Sequence, residues 1–181
     1  MADPWTPAWE EAEATAPPGV TIFCTLELQH PAFLDGDPPL EVPIRIVSGV
    51  DQDTDFGIEI GARFNEGETV TFKAVPFYSE RPEFAEGKTP EAQVVIDGIG
   101  REVLGHLDAA VQIKADLAVI YREYRSDDTT EPAYGPIRFV MRKVRLNGTS
   151  VIGTAKLDDL ANRRFPFRNY TVAQFPGLVT G

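Results

Sequence analysis

The stretch "PIRFVMRKVRLNGTSVIGTAKL", residues 136–157, decides the fold. Two runs of alternating apolar residues flank Asn147-Gly148, a pair that favours the two-residue type I′ turn because both central positions need positive φ. The stretch reads as a β-hairpin with strands over 136–146 and 149–157. The apolar phase slips between Met141 and Val144, so a bulge or strong twist is expected at Arg142-Lys143.

Outward from the hairpin, strand signals dominate. "IKADLAVIYREY" (113–124) is a long strand, joined to the hairpin by the polar "RSDDTTEPAYG". Upstream come "VTIFCTLEL" (20–28), "LEVPIRIVSG" (40–49), "FGIEIGARF" (56–64) and "ETVTFKAVPF" (68–77), separated by the turn-rich "DGDPP", "DQDTD" and "NEGE". A loop over 78–90 leads to a strand at 92–97 and a helix at 99–110, whose Ile99, Val103, Leu104, Leu107 and Val111 fall on one side as a lid on a core. "TPAWEEAEATA" (6–16) reads as a short helix with Thr6 as N-cap and Pro7 in its first turn, and "LDDLANRRFP" (157–166) as a helical turn or short helix. About eight strands and two or three short helices predict a mainly β (β-rich α+β) fold, an antiparallel twisted barrel or sandwich with helices at its ends. The expected organisation is an N-terminal helix and linker over 1–18 and one β-rich domain over 19–181.

Composition narrows the function. The 181 residues are 43% hydrophobic and 10% aromatic, enough for a packed core. No apolar run reaches the length of a membrane span, and the acidic N-terminus lacks the basic and apolar regions of a secretory signal. A cytoplasmic protein, or a component of something assembled there, is expected, with no membrane partner. The formal charge is −11, divided as −14 over residues 1–100 and +3 over residues 101–181. An acidic chain repels nucleic acid, so no specific nucleic-acid binding is expected. The asymmetry is either a matter of chance and solubility or a means of docking one copy, or one neighbour, onto another. Arg138, Arg142, Lys143 and Arg145 alternate with apolar residues along one strand, which is either a solvated face or a docking surface for an acidic partner such as the N-terminal half of another copy.

The chemical motifs fail one by one. Gly98-Ile-Gly100 sits between a strand and a helix, as a dinucleotide fingerprint does, but the third small residue is replaced by Val103 and Asp97 would face the pyrophosphate. Asp51, Asp53 and Asp55 open like a calcium loop, but the positions that need glycine and a bidentate glutamate hold Phe56 and Ala62. An acidic turn between two strands is the better account. Cys24, the lone cysteine, lies among strand residues as a structural thiol. His30 and His106 have no partner at triad or metal spacing, and the second is placed on the polar side of its helix. No catalytic, cofactor-binding or metal-ligating residue is assigned, and the chain is not expected to be an enzyme.

The order of landmarks adds what single motifs do not. "TLELQHPAF" (25–33), "PIRIV" (43–47), "VTFKAVPF" (70–77), "PEAQVVIDGIGREV" (90–103), "AVIYREYRSD" (118–127), the hairpin, "AKLDDLANRRFP" (155–166) and "FPGL" (175–178) follow one another. This layout resembles a family of tailed-phage minor tail proteins, related to the N-terminal part of the lambda-type minor tail protein L. "IDGIGRE", "EYRSD" and "LDDLANRRFP" are its most specific pieces. The resemblance implies a structural virion protein at the tail tip or baseplate, in a ring of about three or six copies that joins the tail tube or distal tail ring to the central hub. A negatively lined lumen would not retain passing DNA. The lambda type carries a C-terminal cysteine cluster for an iron–sulfur centre, whereas this chain has only Cys24, so no cofactor is implied. The alternatives are a tail assembly factor absent from the virion and a small ligand-binding or hydrolytic β-barrel. The loop over 78–90 and the hairpin around Asn147 are the candidate contacts with the tube.

Overall fold

The computed structural model describes residues 19–79, 91–96, 101–113, 115–147 and 150–157. The helix expected over 6–16, most of the loop at 78–90, the turn at 98–100, Gly148 and the segment beyond 157 lie outside the described residues. The elements in chain order are β1 (Ile22–Gln29), β2 (Leu34–Asp35), β3 (Leu40–Glu41), β4 (Ile44–Ser48), β5 (Thr54–Gly57), β6 (Thr69–Ala74), β7 (Phe77–Ser79), β8 (Glu91–Ile96), α1 (Arg101–Gln112), β9 (Leu117–Arg125), β10 (Tyr134–Asn147) and β11 (Ser150–Leu157). The fold is mainly β, as the alternation of apolar residues requires.

One sheet of nine strands runs in the order β5-β6-β4-β1-β9-β10-β11-β8-β7, with β2 and β3 as a separate ribbon. The expected hairpin forms, but its turn is displaced by one residue: Asn147 pairs with Ser150 and so ends the strand instead of opening the turn, because the ladder runs on through Leu146 opposite Val151. The register shifts between Arg142 and Arg145, where the apolar phase slipped. A second shift, between Tyr134 and Ile137 in the β9–β10 pairing, is set by Gly135. Its φ is +94°, and a Cβ there would lie 2.7 Å from the Tyr121 carbonyl oxygen, so the close approach requires glycine. The pairings are antiparallel except β4–β6, which is parallel, because β5 intervenes in sequence and pairs outside β6. The ladder remains open between β4 and β7, although Ser48 Oγ donates to the Phe77 carbonyl across that gap at 3.0 Å. The sheet is therefore curled and sandwich-like rather than a closed barrel.

Burial follows from the curl. Leu26, Leu28, Ile46, Val119, Phe139, Met141 and Val151 face inward to the main core, with Leu107 of α1 packed against it. The opposite face of β1, β4 and β9 is covered in turn by β5, β6 and the segment joining them. Val47, Phe56, Ile58, Phe72 and Tyr124 form this second core, with the Phe56 and Tyr124 rings 4.5 Å apart. The strand expected over 56–64 stops at Gly57, and the chain then turns through Gly61, Asn65 and Gly67, all with positive φ. Likewise the strand expected over 68–77 divides at Val75-Pro76, where proline cannot donate to the ladder. The helix expected at 99–110 occupies Arg101–Gln112 and is the one helix among the described residues.

Candidate functional site

The alternation in β1 places Thr25, Glu27 and Gln29 on the outer face, a pattern that usually means water. Here the covering layer makes that face an interior. Glu27 and Arg122 are each 1% exposed. Arg122 reaches from the centre of β9 and grips Glu59 of the covering segment through Nε–Oε2 at 2.7 Å and Nη2–Oε1 at 2.8 Å, while its Nη1 lies 3.3 Å from Glu27 Oε2. Arg45 Nε donates to the same Glu27 oxygen at 3.0 Å, and Gln29 Nε2 to Glu27 Oε1 at 2.5 Å. Two arginines and two glutamates thus balance without leaving a buried charge alone. Burial by itself would lower the Arg122 pKa; the hydrogen bonds to Glu59 and the charges of Glu27 and Glu59 outweigh it, so the guanidinium is raised above its ordinary value. The network ties the covering layer to the sheet. Tyr124 Oη adds a bond to the Gly57 carbonyl at 2.8 Å.

On the inner face, Tyr121 Oη donates to Glu123 Oε1 at 2.5 Å and lies 3.6 Å from Cys24 Sγ. Burial first, and then the Glu123 charge, push the Tyr121 phenol far above its usual range, so it remains a donor. Cys24 is half-buried rather than fully enclosed. His30 is 2% exposed, and its Nδ1 accepts the Ala32 N–H at 3.1 Å. His106 is not on a purely polar face: its ring lies 5.8 Å from Phe33 and borders a cleft of about 190 Å³. Asp35, Arg45, Thr71 and Lys73 also line this cleft, which has room for about six waters and is smaller than a typical ligand site.

The acidic turn has a structural task. Asp53 Oδ1 accepts the Ala74 N–H at 2.8 Å, and Asp55 Oδ1 accepts the Thr71 hydroxyl at 2.6 Å. Among the described residues no group of three or more His, Cys, Asp or Glu side chains is placed to hold a metal ion. Of the basic positions on β10, Arg138 is exposed, and the register brings Arg142 opposite Thr154 and Arg145 opposite Ile152. The sequence reading missed the Glu27–Arg122–Glu59 network. A charged residue at every second place in two strands looks the same whether water or a second layer covers it.

A model of the domain of unknown function DUF1833 matches residues 9–170, nearly the whole chain. The chain belongs to this family. No curated protein matches it at a significant level. The match to DUF1833 spans both the nine-stranded sheet and the layer clamped to it by Arg122.

Proposed function

We propose that this DUF1833 chain is a structural component of a tailed-phage virion. It stands at the tail tip or baseplate in a ring of copies that joins the tail tube to the central hub. The observation that carries this reading is the fate of "EYRSD", residues 123–127, one of the most specific pieces of the tail-protein resemblance. Three of its side chains bond to residues outside the motif, and the other two pair with each other in the exposed turn. Glu123 accepts from Tyr121, Tyr124 donates to Gly57, Arg125 Nη2 pairs with Asp127 Oδ2 at 2.6 Å, and Ser126 Oγ accepts the Thr21 N–H at 2.9 Å. A motif of this kind supports a scaffold. An active site would aim such groups at a substrate.

Quantitative mass spectrometry of gradient-purified particles, from a phage whose genome encodes the chain, tests the reading. The expected result is its peptides in intact particles at a small fraction of the tail-tube subunit. Peptides abundant in the infected lysate but absent from particles would replace this reading with an assembly factor.

A further inference from the structure

The sheet has two unlike outer faces. Over β4, β1 and β9 the outer face is covered by β5, β6 and their connecting segment, as the buried network requires. Over β10, β11 and β8 the described residues supply no such layer. Ile152 is 38% exposed and Tyr78 is 61% exposed, and both lie opposite Val95 in the ladder, forming an apolar row across three strands. Beside the row the register sets basic positions. Directly opposed residues of an antiparallel pair share a face. Lys156 therefore shares the face of Val140, two residues along the strand from Arg138. Arg138 and Lys156 are exposed on the same two strands. An apolar row flanked by cations has the composition of a docking surface, with an apolar centre and a charged rim.

The same chain carries the complement. Residues 1–100 hold 19 acids and 5 bases, whereas residues 101–181 hold 9 acids and 12 bases. Asp51, Asp53 and Asp55 are exposed at β5, the opposite end of the strand order from β8 and β7. The last two are each fixed by an internal hydrogen bond through one oxygen, so presenting them to a partner loses little side-chain entropy.

We propose that the outer face of β10, β11 and β8 docks onto the acidic N-terminal half of a second copy of this chain, around the turn at 51–55. The contact is head-to-tail, since it joins two different patches. Repetition of such a contact gives a closed ring when the rotation closes and a filament when it does not. The inference deepens the reading above by naming the surfaces through which copies meet, and it rests on that reading for a setting in which copies are held together.

Sedimentation velocity of the full chain tests it with two charge-reversed variants, Arg138→Glu/Lys156→Glu and Asp51→Lys/Asp55→Lys, each checked for the wild-type circular dichroism spectrum. Arg138→Gln serves as a milder variant that keeps the test open if the double reversal misfolds. The wild type should self-associate at low salt and dissociate as salt rises from ~0.05 to ~0.5 M, where screening shortens the reach of the charges. Each reversed variant should associate at least about tenfold more weakly. A mixture of the two variants should associate again, because the intact basic face of one meets the intact acidic turn of the other and the two reversed patches, glutamate against lysine, are complementary as well. A wild type that stays monomeric at low salt would overturn the inference, as would variants that associate like the wild type or a mixture that stays monomeric. A monomer in solution whose peptides are nonetheless found in particles would remove this inference and leave the virion reading standing. Self-association by a chain absent from particles would do the reverse.

Discussion

Replacing Arg122 with methionine removes the clamp between the sheet and its covering layer. The side chain is 1% exposed and makes three contacts of 3.3 Å or less to carboxylates. In Arg122→Met, Glu59 can regain water because 19% of its side chain is exposed, but Glu27 cannot, at 1%. Glu27 keeps Arg45 and Gln29, so its charge is not abandoned. Breaking a buried ion pair from one side destabilises by about 3–5 kcal/mol. For a chain of this length that is a fall in Tm of about 6–20 °C, and a large share of an ordinary folding free energy. Glu59→Gln should lose less, about 1–2 kcal/mol, since it removes only the half-wet partner and leaves Arg122 with Glu27. Urea unfolding followed by circular dichroism measures both. Trypsin cleavage after Arg63, in the covering segment, should accelerate in Arg122→Met as the layer loosens. An Arg122→Met variant within about 1 kcal/mol of the wild type, with unchanged cleavage, would refute the reasoning that this network fastens the layer.

Gly57→Ala should destabilise by about 1–3 kcal/mol in the same urea assay, because a Cβ there would lie 1.9 Å from the Thr130 carbonyl oxygen and force backbone apart. Gly105→Ala, in α1 with nothing within 4 Å of the added carbon, should stabilise by up to about 1 kcal/mol; a loss would contradict the open site. Tyr121 and Tyr124 have pKa values raised chiefly by burial, against the opposing Arg122 charge in the case of Tyr124. The unfolded phenols ionise near pH 10 and the folded ones do not, so this contribution is complete below about pH 10 and declines above it. Phenolate absorbance from two of the five tyrosines should then appear only as the β-sheet dichroism is lost, and full titration of an intact sheet would contradict their burial. Asp127 and Asp128 have pKa values lowered chiefly by the hydrogen bonds from Arg125 and Thr130, so any support they give is present above the ordinary carboxylate pKa and lost as pH falls through the lowered values. Carboxyl NMR titration should show Arg125→Ala returning Asp127 toward its usual range.

The hairpin and its bulge were legible because both are local, but the turn was placed one residue early, since Asn147 is paired with Ser150 in the ladder. The strand at 113–124 was legible in kind, and begins at Leu117 because the apolar run begins there. What could not be read were the long-range facts. The parallel β4–β6 pair depends on where β6 lands after β5, and no residue pattern encodes that neighbour. The segment after Gly57 has apolar residues at strand spacing, yet Ile60 is 78% exposed, since three positive-φ positions turn the chain away from the ladder. Glu27 and Arg122 look solvated in sequence and are interior because the segment carrying Glu59 folds over that face of the sheet. His106 was expected to be polar-facing, and Phe33, far away in sequence, gives its ring an aromatic neighbour.

The central claim is that this chain stands at the distal tip of a phage tail. The most direct measurement is immunogold electron microscopy, with antibody against the recombinant chain applied to particles of a phage that encodes it. The account predicts gold confined to the tail tip. Particles free of gold, while a tail-tube antibody labels the same preparation, would contradict it.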